Sequence, residues 1–191
     1  VEMAALMVRL MEQRGKLDPL PMSTEGALPF EFEVTVDFGA YRDIGRHRKG
    51  YQQQQALTTD HGYVVPPLMD EAGLGDRYRE VMDRASERQR IVAAAFPDAA
   101  GYVTPFACLQ RIRIVFDPRQ TAYFIELRSG PEGHFAYRKV ALDMQAAVER
   151  VSPMFARFIR AQKGDAFLGR MVAEQTAEDR RKQRMQRAGD A

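Results

Sequence analysis

Arg46, His47 and Arg48 stand side by side, with Arg42 and Lys49 close by. Successive helical residues point about 100° apart, so three such neighbours cannot share one face. The triplet fits best where a helix ends and opens into a loop. The chemistry that suits it is anion recognition. A guanidinium grips phosphate through two parallel hydrogen bonds, and an imidazole donates to a phosphate or to a heterocycle carbonyl. The plainer reading is a solvated basic helix end, favourable against the negative pole of the helix dipole. Arg111 and Arg113 alternate along a predicted strand and read as an exposed or interfacial face. Arg180, Arg181, Lys182, Arg184 and Arg187 crowd the C-terminus beside Glu178 and Asp179, which reads as solvated helix.

The remaining candidates are few. His61 follows Asp60 in a predicted loop and reads as solvated, whereas His134, near Glu132, is a candidate site residue. The three histidines and the one cysteine form no zinc spacing, so no metal site is expected. Cys108 lies in a mostly apolar stretch and reads as a packed thiol. A lone cysteine precludes an internal disulfide framework and fits a reducing, cytoplasmic setting. Net charge is +2, from 28 basic and 26 acidic residues, a near balance that does not point to nucleic acid. No apolar run approaches the roughly 18 residues of a membrane span, and no secretory pattern is present. The 191 residues suit one domain, expected over 1–175 with a charged helical tail over 176–191. A start at Val1, not Met, leads to the expectation that the N-terminus is truncated.

The elements that must position these residues follow from periodicity. Met3, Leu6, Met7, Leu10 and Met11 predict a helix over 2–14, and the prolines and glycines of 16–29 a loop. Phe30, Phe32, Val34 and Val36 alternate with polar residues, which predicts a half-buried strand. A short helix follows, from about Phe38 to Arg48. Residues 49–67, with the run Gln52–Gln55 and the pair Pro66-Pro67, read as one long loop. Helical spacing returns over 69–95, with Leu74, Tyr78, Val81, Met82, Ala85 and Ile91 as its apolar stripe, until Pro97. Leu109–Phe116 is a second strand. Asp117 caps a helix over 118–128 with Pro118 in its first turn. Helices over about 132–161, opened by Pro131 and kinked at Pro153, and over 164–188 complete the chain. The fold class is therefore α+β, a small antiparallel or mixed sheet packed by several long helices.

In this order of elements, several motifs together resemble the flavin-dependent thymidylate synthases. Arg46-His47-Arg48 after a strand, then a substrate loop running into Tyr63-Val64-Val65-Pro66-Pro67, is similar to that family's strand, triplet and Tyr-Val-x-Pro-Pro stretch. Ala100–Pro105 resembles its Ala-Arg-x-x-Leu-Pro segment, and Asp117-Pro118-Arg119 with Phe124–Arg128 its Asn-x-Arg…Phe-x-x-Leu-Arg helix. His134–Arg138 resembles its Gln-x-Glu-Ile-Arg segment. The resemblance covers roughly residues 30–160.

The resemblance implies a homotetramer that binds FAD between subunits. The flavin carries reducing equivalents from NADPH and mediates one-carbon transfer from methylenetetrahydrofolate to dUMP, without a protein nucleophile. It assigns Arg46, His47, Arg48 and Arg119 to FAD, and Gln53, Gln54 and Arg128 to the nucleotide, Arg128 at the pyrimidine. No catalytic side chain is implied. The departures are concentrated in the substrate loop. Where the family has Ser, Asn-Glu, Ser and Arg, this chain has Tyr51, Gln53-Gln54, Ala56 and Thr58. A second phosphate-side arginine corresponds to Gly101, and the family's upstream His and Glu-His motif to Asp18–Pro21. Flavin-contacting positions on the late helices hold Tyr123 and Glu132.

The expected function is thus a divergent synthase-like protein, catalytically impaired, that keeps the fold together with FAD or nucleotide binding. It would act as a homo-oligomer or paired with a second synthase-like domain. The alternative is an active FAD-dependent synthase forming dTMP. A nucleic-acid module built on the basic cluster is the remote third reading.

Overall fold

The computed structural model describes residues 2–15, 18–164 and 169–189. They group into two compact units, Gly26–Gln120 and the segments on either side of it. The α+β expectation holds, and the sheet is purely antiparallel.

In the unit of residues 26–120, β1 (Phe30–Asp37), β2 (Tyr51–Gln54) and β3 (Leu109–Phe116) form a sheet of order β1-β3-β2. Phe32 faces Ile114 and Val34 faces Ile112 across the β1–β3 ladder. The alternation in both strands therefore puts one apolar face inward, where Ile112, Ile114 and Phe116 are buried. Asp37 ends β1 and caps α2 (Phe38–Ile44), accepting a hydrogen bond from the Ala40 amide at 2.8 Å.

β2 falls in the stretch read from sequence as one long loop. Four polar residues carry no apolar alternation, so no strand was legible there. The ladder to β3 is made by backbone groups, and an edge strand needs an available partner more than apolar side chains. Residues 69–95 likewise divide, into α3 (Pro67–Glu71) and α4 (Gly75–Ala95). Gly73 at φ 69° makes the break. Of the stripe assigned to this region only Met82 is buried, while Leu74, Val81 and Ile91 are exposed. The inward positions of α4 include Ser86 and Gln89, whose polar atoms bond locally.

The other unit contains α1 (Glu2–Glu12), most of α5 (Pro118–Arg128), α6 (Phe135–Val151), α7 (Pro153–Ala156) and α8 (Gly169–Gly189). The predicted helix over 132–161 is two. The first starts at Phe135 with His134 as its N-cap, and so is not opened by Pro131. It stops at Ser152, held extended at φ −146° before Pro153, which opens a new turn. In α6 the buried face is Val140, Ala141, Met144 and Val148. The helix predicted over 164–188 begins at Gly169, with 165–168 outside the described residues.

Two arginines tie this unit together. Arg14 has a side chain only 3% exposed; it pairs with Glu126 at 2.5 Å and donates to the Phe158 carbonyl at 2.7 Å. Arg138 donates to the carbonyls of Ser129, Gln162 and Gly164. Among the described residues no helix is long and apolar enough to cross a membrane.

Candidate flavin and nucleotide site

α2 ends at Ile44, earlier than expected, and the triplet follows in a turn whose His47 amide donates to the Ile44 carbonyl at 3.0 Å. The three side chains then diverge. Arg46 and Arg48 are exposed, whereas His47 is 7% exposed. Arg46 Nε lies 3.5 Å from an oxygen of Asp43, an open pair that leaves the guanidinium accessible. The buried imidazole points at α5, where Gln120 Nε2 and His47 Nδ1 are 3.3 Å apart. The His47 carbonyl accepts from Gln52 Nε2 at 2.7 Å, which anchors the triplet to β2.

Gln120 also sits in the first turn of α5, next to Arg119. Asp117 builds that turn, accepting from the Gln120 amide at 2.7 Å and from the Gly26 amide at 3.2 Å. The His47–Gln120 contact therefore brings the triplet to the helix that carries Arg119. Of the four expected flavin residues, Arg46 and Arg48 are exposed, His47 is buried, and Arg119 is half-buried next to Gln120 in the chain. Asp117→Ala is expected to cost about 1 kcal/mol, the usual value of such a cap. An unchanged urea midpoint would contradict this assignment.

The substrate loop is arranged differently from its linear order. Gln53 lies opposite Arg113 on the polar sheet face, and Gln54 lies opposite Ile112 on the other. The structure thus separates these two neighbours by the thickness of the sheet. Gln54 Nε2 donates to Gln110 Oε1 at 2.7 Å. On the polar face Arg113 makes two bonds with Glu31, at 2.6 and 2.9 Å, and Arg111 pairs with Glu33. Hydrogen bonding from Arg113 holds the Glu31 carboxyl below the usual carboxylate range. The Tyr51 ring lies 5.9 Å from the Arg113 guanidinium. Arg111 and Arg113 are therefore exposed, as read from sequence, and committed to glutamates. A groove of about 260 Å³ opens here, lined in part by Gln53, Gln54, Gln55 and Arg111.

Gly101 lies against the same loop, since a Cβ there would be 3.8 Å from Leu57 Cβ. Thr59, next to Thr58, donates to Gln89 at 3.2 Å. Tyr63 pairs with Cys108 in an isolated β-bridge and donates to Asp83 at 3.0 Å, which steers the Tyr63–Pro67 stretch into α3. Burial pushes the Cys108 thiol up, away from the reactive thiolate. His61 bonds Gln55 at 2.8 Å, and His134 caps α6 with its ring 4.3 Å from that of Phe135. In the other unit Arg128 lies over Tyr137 at 5.2 Å. No group of three His, Cys, Asp or Glu among the described residues could hold a metal ion.

Sequence reasoning missed Gln120, Gln110 and Gln52. The available signal was parity. Gln110 occupies an inward position of β3, and a polar residue on an apolar face requires a partner.

The family model for the thymidylate synthase complementing protein matches residues 5–154. A UPF0159 protein of Chlamydia muridarum is 38% identical over 146 residues, 76% of this chain and 28% of the relative. One from Chlamydia pneumoniae is 37% identical over 150 residues, 78% of this chain and 28% of its own length. One from Thermoplasma acidophilum is 36% identical over 151 residues, 78% of this chain and 30% of its own. The chain thus spans under a third of the length of these relatives.

Proposed function

This chain belongs to the thymidylate synthase complementing protein family, the flavin-dependent thymidylate synthases, and on that premise we propose that it is a synthase-like domain in nucleotide biosynthesis that retains FAD and is impaired in making thymidylate. The observation that carries this reading is the triplet. Arg46 and Arg48 are exposed, and His47 is anchored to Gln120 beside Arg119. Guanidinium forks displayed in this way fit the diphosphate of FAD, because each can give two charge-assisted bonds. His47, buried against Gln120, holds the turn that spaces the two exposed arginines. The bound flavin would supply hydride and one-carbon transfer between NADPH, methylenetetrahydrofolate and the nucleotide.

The impairment is argued from the nucleotide side. Thr58 and Gly101 stand where the family's phosphate-binding arginines are expected, and Ala56 replaces a serine. Two missing charge-assisted bonds, at about 1.5–3 kcal/mol each, lower dUMP affinity by roughly a hundredfold or more. Arg128, with the triplet, favours the alternative of an active synthase. That alternative predicts dTMP from dUMP, methylenetetrahydrofolate, NADPH and FAD, and absence of turnover in the intact protein would end it. The assembly proposed is a homo-oligomer or a pairing with a second synthase-like domain, in the cytoplasm. Nucleic-acid binding is the least supported reading, given the near balance of charge.

The test is the visible spectrum after mixing with FAD and removing the excess. A flavin band should stay with the protein. Arg46→Ala with Arg48→Ala should weaken FAD binding roughly a hundredfold, about 1.5 kcal/mol per guanidinium. A protein that stays colourless overturns the flavin reading.

A further inference from the structure

α5 ends at Arg128, and the chain turns through Ser129–His134 into α6, whose first turn carries Tyr137. That turn is fixed from several sides. Ser129 is fully buried; its carbonyl accepts from Arg138 Nε at 2.9 Å, and its hydroxyl oxygen accepts from the Gln162 amide at 2.9 Å. The Gly133 amide donates to the Gly130 carbonyl at 3.0 Å. Within this frame the half-buried Arg128 guanidinium lies over the Tyr137 ring, 5.2 Å from its centroid. The ring packs closely against Gly133, where a Cβ would come within 2.9 Å of Tyr137 Cε2. The His134 ring is a further neighbour, at 6.3 Å. A guanidinium stacks through its flat face and hydrogen-bonds through its edge, so the two uses do not compete. An arginine ordered before a ligand arrives loses less side-chain freedom on binding. At the position of Tyr137 the resembled family segment has isoleucine, which offers no π face.

We propose that Tyr137 is a positioning residue that holds Arg128 ready for the nucleotide. The aromatic ring orders the guanidinium from its face and leaves the edge for the ligand. This deepens the synthase-like reading and rests on it for the contact between Arg128 and the nucleotide.

The probe is dUMP, titrated into the intact protein by ligand-observed NMR. Tyr137→Leu is expected to weaken its binding about fivefold, about 1 kcal/mol of side-chain ordering. Tyr137→Phe, which keeps the ring, should bind as the unmodified protein does. Tyr137→Ile serves the same purpose should the leucine variant not fold. In an Arg128→Gln background the leucine change should have no further effect, since no guanidinium remains to be held. A tyrosine that only supports the fold would weaken binding in both backgrounds, and that result overturns the proposal. So does an affinity unchanged or raised by Tyr137→Leu, or a phenylalanine variant as weak as the leucine one. Arg128→Gln by itself separates the two levels. If it weakens dUMP binding while Tyr137→Leu does not, the nucleotide reading stands and only the positioning role falls. If it changes nothing, or if dUMP does not bind at all, both fall together, whereas the flavin reading is decided by its own spectrum.

Discussion

Gly50→Ala is expected to lower stability by about 2–5 kcal/mol and to weaken FAD retention with it. Gly50 follows the triplet at φ 109°, a conformation that costs an L-residue about 1–2 kcal/mol. A Cβ there would also lie 2.6 Å from the Val115 carbonyl oxygen and 2.6 Å from Phe116 Cδ1. The carbonyl belongs to the central strand and cannot yield without disturbing the ladder to β2, so overpacking adds about 1–3 kcal/mol. The chain passes this close because the triplet must turn directly into β2, whose Tyr51 pairs with Val115. Gly73→Ala is the matched control. Its φ is 69°, and a Cβ would meet nothing within 4 Å, so only the conformational cost applies. Urea unfolding of both variants reads the difference. Equal midpoint shifts would mean that the close approach to β3 contributes nothing.

The second large effect is expected in the other unit. Glu126→Ala should cost about 3–5 kcal/mol, the usual penalty for stranding a buried charge. Glu126 accepts both terminal nitrogens of Arg14 and also the Arg160 amide, at 3.0 Å. Arg14 would keep only the Phe158 carbonyl while its Nε already lacks a partner among the described residues. Glu126 is 23% exposed, so water offsets part of the loss and the lower end of the range is favoured. The pair is a fastening more than a source of stability. Adding Arg14→Met to Glu126→Leu should therefore recover most of the loss, because an apolar replacement of both partners removes the stranded charge. A double variant no more stable than Glu126→Ala alone would show that the arginine contributes chiefly through its backbone contacts.

Much of this molecule was legible in local patterns. Strands β1 and β3 follow from strict alternation, because a sheet with one buried face imposes a period of two on its residues. The cap at Asp117 was legible as a position where backbone donors need partners, and Pro153 as a disturbance of its helix, although it was read as a kink and not as the break it makes. The ordered motifs from Arg46 to Arg138 carried the family, because they depend on residue identity and order along the chain.

Tertiary structure decided the rest. β2 exists because β3 has an edge to pair with, and Gln52–Gln54 show nothing of that in their own pattern. Leu74, Val81 and Ile91 made a convincing stripe, yet Val81 and Ile91 on α4, and Leu74 just before it, are exposed, since which side of a helix is covered depends on what lies beside it. Gln53 and Gln54, neighbours in the chain, part to opposite faces of the sheet, because pleating sends successive side chains in opposite directions. His47 meets Gln120, 73 positions away, and Gln54 meets Gln110, 56 positions away. Chemistry-bearing residue types are a property of the sequence alone. Their orientation is set by hydrogen bonds between distant segments, which no local period records.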